Sequence, residues 1–144
     1  MLVVKGIYAM FKKVKDKPYY TNNHSSFLLT AHLVLVTKYR NPVLQGNVKD
    51  YVYQLLRETR KENIVIREMN GETDHVHVLF DYAPDIKLIA LVKRSNPELP
   101  IARRDYPLEV SKYYSKPLFW TNSYFLGFIG VNTAEIVEEY IKKQ

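Results

Sequence analysis

The chain has 144 residues, a formal net charge of +6 and no cysteine. This length is most simply one domain with a real core. The missing cysteines exclude disulfides and thiolate metal sites and fit a cytoplasmic protein. The charge favours an anionic partner, with nucleic acid first among candidates. Lys5 interrupts a short N-terminal apolar run, which excludes a signal peptide. No run approaches the roughly 20 apolar residues of a membrane span, so no membrane association is expected.

Residues 1–24 are basic and aromatic and read as an arm or an added strand. "SFLLTAHLVLVTK" (26–38) is rich in Leu, Val and Thr and predicts one long strand. Pro42 and Gly46 break it. Val48, Tyr51, Val52, Leu55, Leu56 and Thr59 recur at helical spacing, which predicts an amphipathic helix over 47–62. "NIVIREM" (63–69) is a second strand, Asn70-Gly71 a turn signal, and "HVHVLFD" (75–81) a third strand returning as a hairpin. Pro84-Asp85 opens a second helix over about 85–94, ended by Asn96-Pro97. The Pro-broken stretch 95–118 holds a short helix and a loop. "LFWTNSYFLGFIG" (118–130) carries a fourth strand. Asn132, with Glu135 three residues on, can cap a final helix over 133–144. The order β-α-β-β-α-β predicts an α+β, ferredoxin-like (RRM-like) split βαβ fold. It has one antiparallel sheet with helices on one face, and a C-terminal helix left over. The domain proper spans 25–144.

The chemistry concentrates in "DHVHVLF" (74–80). Side chains alternate across a strand, so His75 and His77 share a face. Neutral imidazole is a common metal ligand, and a buried imidazole needs a partner. Two ligands alone make a poor site. On the last helix Tyr140 and Gln144 lie four apart, on one face with Ile136. They are either a core tyrosine and a frayed end, or a hydroxyl and an amide beside the histidines. Asp74 can orient His75 or cap the turn.

With these residues assembled, the chain resembles the single-tyrosine HUH transposases of small insertion sequences, the TnpA or IS200-like type. The resemblance covers Ala31 to Gln144. It rests on "HLVLVTKYRNPVL" (32–44), "DHVHVLF" (74–80), "FWTNSYF" (119–125) and "YIKKQ" (140–144), in that order. The family pattern differs at Thr73, where it has proline. It differs also in "VKRSNPE", which lacks the glycine of Lys-Gly-x-Ser, and at Gly127 and Phe128. The resemblance implies ATP-independent cleavage and rejoining of single-stranded DNA. Tyr140 would be the catalytic nucleophile on the C-terminal helix, forming a 5′-phosphotyrosine. His75, His77 and Gln144 would hold Mg²⁺ or Mn²⁺. It further implies that single-stranded hairpins at transposon ends are the partner, and that a homodimer supplies the final helix in trans. Lys38, Arg40, Lys93, Arg94, Arg103 and Arg104 are candidates for phosphate contact. The rival readings are another HUH nickase or replication initiator, and a non-catalytic nucleic-acid-binding domain.

Overall fold

A computed structural model describes residues 11–58, 64–88, 105–116, 118–130 and 133–144. Its strands are β1 (Lys12–Lys13), β2 (Tyr20–Thr21), β3 (Ser26–Phe27), β4 (Thr30–Thr37), β5 (Ile64–Gly71), β6 (His75–Tyr82) and β7 (Trp120–Ile129). Its helices are α1 (Gly46–Glu58), α2 (Pro107–Ser111) and α3 (Ala134–Lys142), with a 3₁₀ turn at Lys38–Arg40. Strands β4 to β7 form one antiparallel sheet in the order β5-β6-β4-β7. That is the ferredoxin-like arrangement expected from the sequence.

Alternation along β4 and β6 divides this sheet into two faces. Ala31, Leu33, Leu35, Val76, Val78 and Phe80 are buried on one face, against Val48, Val52 and Tyr53 of α1. Burial of these apolar side chains is the main stabilising term. The opposite face carries His32, Val34 and Val36 of β4 beside Leu79, His77 and His75 of β6, in direct register. Helix α3 covers part of this second face, with Ile141 fully buried. Among the described residues, no helix is long and apolar enough to cross a membrane.

Three local expectations are corrected. The stretch 26–38 is not one strand. Ser26–Phe27 pairs with β2 in a separate small sheet, and the main sheet begins at Thr30. Phe27 belongs to an aromatic cluster with Phe11 and Tyr20, whose ring centroids lie 5.4 and 6.0 Å from its own. This cluster gives the N-terminal segment its own core and draws the chain off the sheet axis. Asn70-Gly71 is not the turn either. Both residues pair with β6, and the reversal falls at 72–74, closed by Glu72 N–H donating to the His75 carbonyl at 3.0 Å. Gly71 serves close approach instead, since a Cβ there would collide with that same carbonyl. Finally, the N-cap of α3 is Thr133, which makes no side-chain capping bond; its hydroxyl donates to the Gly130 carbonyl at 3.0 Å. Asn132 lies outside the described residues, as do 59–62 of the expected first helix and most of the expected second helix at 85–94.

Candidate functional site

The hairpin that Gly71 permits delivers Asp74 and His75 to the end of the sheet. The β4 turn meets them there. Thr37, fully buried, donates its hydroxyl to the Asn41 and Asp74 carbonyls at 2.8 and 3.1 Å. Leu44 N–H donates to the Thr73 carbonyl at 2.9 Å. Within this turn Tyr39 and Arg40 take left-handed backbone angles, with φ of 58° and 54°. These are uncommon for side chains with a Cβ and carry strain. Arg40 Nε donates to Asp74 Oδ2 at 3.1 Å, and Asp74 Oδ1 lies 2.8 Å from His75 Nδ1. The His75 bond, then Arg40, hold the Asp74 carboxyl below its usual range.

Both histidines are engaged at Nδ1, with their rings nearly perpendicular to each other. His75 Nδ1 is engaged by Asp74, and His77 Nδ1 shares a 3.0 Å hydrogen bond with His32 Nε2. Each ring therefore has its Nε2 left for another partner, which is how metal-ligating imidazoles are usually set. The Gln144 side chain lies close enough to His77 to favour its protonated form slightly. The Tyr140 ring stands edge-on to the His77 ring, with centroids 6.0 Å apart. Tyr140 itself is 57% exposed, so a large substrate can reach its hydroxyl. The expected grouping of His75, His77, Tyr140 and Gln144 is thus brought together within one chain, and His32 joins it. The expected common face for Ile136 and Tyr140 is also present, but it looks outward, with Ile136 70% exposed.

This donor set fits a divalent cation. His75, His77 and Gln144 offer imidazole nitrogens and an amide oxygen, and a mixed nitrogen and oxygen set suits Mn²⁺ somewhat better than Mg²⁺. Glu72, Asp74 and His75 can also bring one ligand atom each within 4.8 Å of one another. In that grouping Asp74 already spends its oxygens on His75 and Arg40.

Burial, then the neighbouring His32 and His75, push the His77 pKa down from 6.5 to about 4. Burial lowers His32 as well. At neutral pH His77 is therefore unprotonated and able to bind a metal. The unfolded chain binds the extra proton between pH 6.5 and 4, so stability present above 6.5 is lost as pH falls through that window. The melting temperature of the metal-free protein is expected to fall from pH 6.5 to 5, and to fall less steeply in His77→Ala. Parallel slopes would refute the link. Comparison above pH 5 keeps most carboxylates ionised.

Lys38, Tyr39 and Arg40 form one wall of an open groove of about 510 Å³, and Ser123, Tyr124 and Phe125 of β7 form the other. The groove runs beside the histidine face, since Val34 and Val36 line it and are cross-strand neighbours of His77 and His75. Tyr39 and Phe125 are 73% and 56% exposed. Of the expected basic contacts, Lys38 and Arg40 therefore lie at the site. Lys93, Arg94, Arg103 and Arg104 fall outside the described residues.

Residues 25–144 match the family described as "Transposase IS200 like". The ISDra2 transposase TnpA of Deinococcus radiodurans is 31% identical over 122 residues, covering 82% of this chain and 85% of that protein. The transposase for insertion sequence element IS200 of Salmonella typhimurium is 25% identical over 122 residues, covering 84% and 80%. A crystal structure of a Deinococcus radiodurans R1 protein assigned to the transposases superposes with a TM-score of 0.68. It covers 86% of this chain and 96% of that one, at 23% identity, and so supports the fold.

Proposed function

The chain belongs to the IS200-like transposase family, and from that premise we propose that it cleaves and rejoins single-stranded DNA at insertion-sequence ends through a tyrosine-linked intermediate. Membership makes it a DNA-cleaving, strand-transferring enzyme. The finer reading is carried by one observation: the Tyr140 ring of the last helix stands edge-on to His77 of the hairpin strand, with Gln144, just past the helix end, near the same imidazole.

The Tyr140 hydroxyl attacks phosphorus. A tyrosine O–P bond forms, the bond to the 3′-oxygen breaks, and the phenolic proton leaves to water while the released 3′-oxygen takes one up. The product is a 5′-phosphotyrosine and a free 3′-hydroxyl. A phenol, with an ordinary pKa of about 10, is both a usable nucleophile and a fair leaving group. The step is therefore reversible without ATP, and a different 3′-hydroxyl can attack the stored ester to join strands. His75, His77 and Gln144 would hold a divalent metal, Mg²⁺ or Mn²⁺, which when bound supplies charge neutralisation at a non-bridging phosphate oxygen. Asp74 and His32 keep the two imidazoles turned. The groove walled by Lys38, Tyr39, Arg40 and Phe125 offers phosphate contacts and aromatic faces for unpaired bases, which suits single strands.

The working form is a homodimer. β7 is an edge strand whose outer side is open to pairing with a second copy, and Phe125 and Phe128 stand exposed on its two faces.

The test is a denaturing gel with single-stranded DNA carrying the short palindromes that flank the gene, with and without Mn²⁺. A metal-dependent covalent adduct is expected. Binding with no adduct would favour a non-catalytic DNA-binding domain. By calorimetry, His75→Ala and His77→Ala should each weaken Mn²⁺ binding by about 100-fold or more, while Glu72→Ala leaves it unchanged. Loss of binding in Glu72→Ala but not His77→Ala would move the metal to the acidic turn.

A further inference from the structure

We propose that Arg67 is a positioning residue that fixes the register of α3 on the sheet, and with it the reach of Tyr140; this rests on the reading of Tyr140 as nucleophile. Arg67 is the extra residue of a bulge in β5, where pairing with β6 shifts between Ile66 and Glu68. Bulges re-aim a side chain. Here the guanidinium is aimed between two carboxylates. Its Nη1 lies 3.6 Å from Asp81 Oδ1, and its Nη2 lies 3.3 Å from Glu138 Oε2 on α3.

The Asp81 end is rigid. Asp81 is 2% exposed and accepts hydrogen bonds of 2.6 Å from both the Tyr20 and the Thr30 hydroxyls. A buried carboxylate held by two hydroxyl donors does not wander, and its charge anchors one side of the planar guanidinium. Tyr20 lies on the small N-terminal sheet, ahead of the segment 25–144 that matches the family. The added sheet thus clamps the residue that clamps the arginine.

The Glu138 end is specific. The sheetward stripe of α3 consists of Ala134, Val137, Glu138 and Ile141, in which Glu138 is the charged member. Apolar contact is non-directional and does not by itself choose between registers. Sliding the helix by one turn, about 5.4 Å, would bring Ala134 or Lys142 opposite Arg67. Ala134 would leave the guanidinium without its second carboxylate. Lys142 would set cation against cation. Arg67 keeps Asp81 and Glu138 keeps Lys142, 3.7 Å away, in every register, but only the observed one gives Arg67 its second carboxylate, and fixing register is the use for which half-buried ion pairs are best attested. A nucleophile must sit within about 3–3.5 Å of its target, so a slip of one turn would remove Tyr140 from the reaction. The same argument holds whichever chain of a dimer supplies the helix.

The test compares Glu138→Leu, Glu138→Gln and Arg67→Met. Glu138→Leu leaves Arg67 paired with Asp81 and adds apolar contact, so the protein should melt at or above the parental temperature. Its adduct formation should nevertheless fall about 100-fold, with hairpin binding retained. In metal-free, DNA-free protein the backbone amide NMR signals of α3 should double or broaden. Glu138→Gln, which can still accept from Arg67, should recover single signals and most of the rate. Arg67→Met should reproduce the loss. Parental adduct rates in Glu138→Leu or in Arg67→Met would overturn the proposal. So would single sharp α3 signals in Glu138→Leu. The NMR arm needs no nucleophile. If the adduct maps away from Tyr140, doubled α3 signals still sustain the register role while the nucleophile assignment alone fails.

Discussion

Tyr140→Phe is expected to abolish the covalent protein–DNA adduct while leaving the fold and hairpin binding intact. The substitution removes one oxygen and keeps the ring that stands against His77. Tyr140 is more than half exposed and has no hydrogen bond to lose among the described residues, so stability should change by no more than about 0.5 kcal/mol, as for ordinary surface changes. The catalytic loss should be far larger, because water cannot replace a tethered nucleophile whose positioning alone is worth several powers of ten. Peptide mapping of the trapped parental adduct should place the nucleotide on Tyr140. The chain has 12 tyrosines, and several are poor competitors. Burial pushes the hydroxyl of Tyr53 up to about 12 and also raises that of Tyr82. Tyr114 donates to the Lys38 carbonyl at 2.7 Å. Tyr39 and Tyr124, exposed along the groove, are the real alternatives. An adduct on either would overturn the assignment.

The main sheet was legible because its strands obey one rule. β4 and β6 bury alternate residues on the α1 face, so Leu33, Leu35, Val76 and Val78 announce period two. The local misreadings came from residues whose partners are far off in sequence. Phe27 looks like strand core and is one, but its core is Phe11 and Tyr20. Asn70-Gly71 carries turn chemistry, yet Asn70 stands opposite His77 and Gly71 opposite Val76 in the ladder. Gly71 is needed for nearness to the His75 carbonyl, which no local pattern reveals.

The site divides in the same way. The shared face of His75 and His77 was legible from spacing, while their grouping with Tyr140 and Gln144 needed the family resemblance. His32 was missed because a single histidine among Leu and Val reads as a strand residue. Its signal was parity: His32, Val34 and Val36 occupy the face that β4 turns towards the histidine pair. Arg67 was missed for another reason. It sits in a bulge, and a bulge depends on the register of two strands rather than on either sequence.

Mixing His75→Ala/His77→Ala protein with Tyr140→Phe protein is expected to restore cleavage that neither has alone. The single chain seats α3 on its own sheet, joined to β7 through residues 130–133. A short joint between an element and its domain is the usual setting for exchange between protomers, and exchange would reproduce the same contacts, Arg67 with Glu138 included. Two consequences follow if each dimer site takes its histidines from one chain and its tyrosine from the other. A heterodimer then has one site with both defects and one with none. Random pairing makes half of the dimers mixed, so roughly a quarter of parental adduct should return. If each site is built within one chain, every site in every dimer keeps a defect, and co-expression restores nothing. Mixed dimers isolated by two different affinity tags remove the dependence on random pairing. Each should carry one competent site of two. Inactive mixed dimers that still bind hairpin DNA would show that α3 works on the sheet of its own chain, as the single-chain geometry has it.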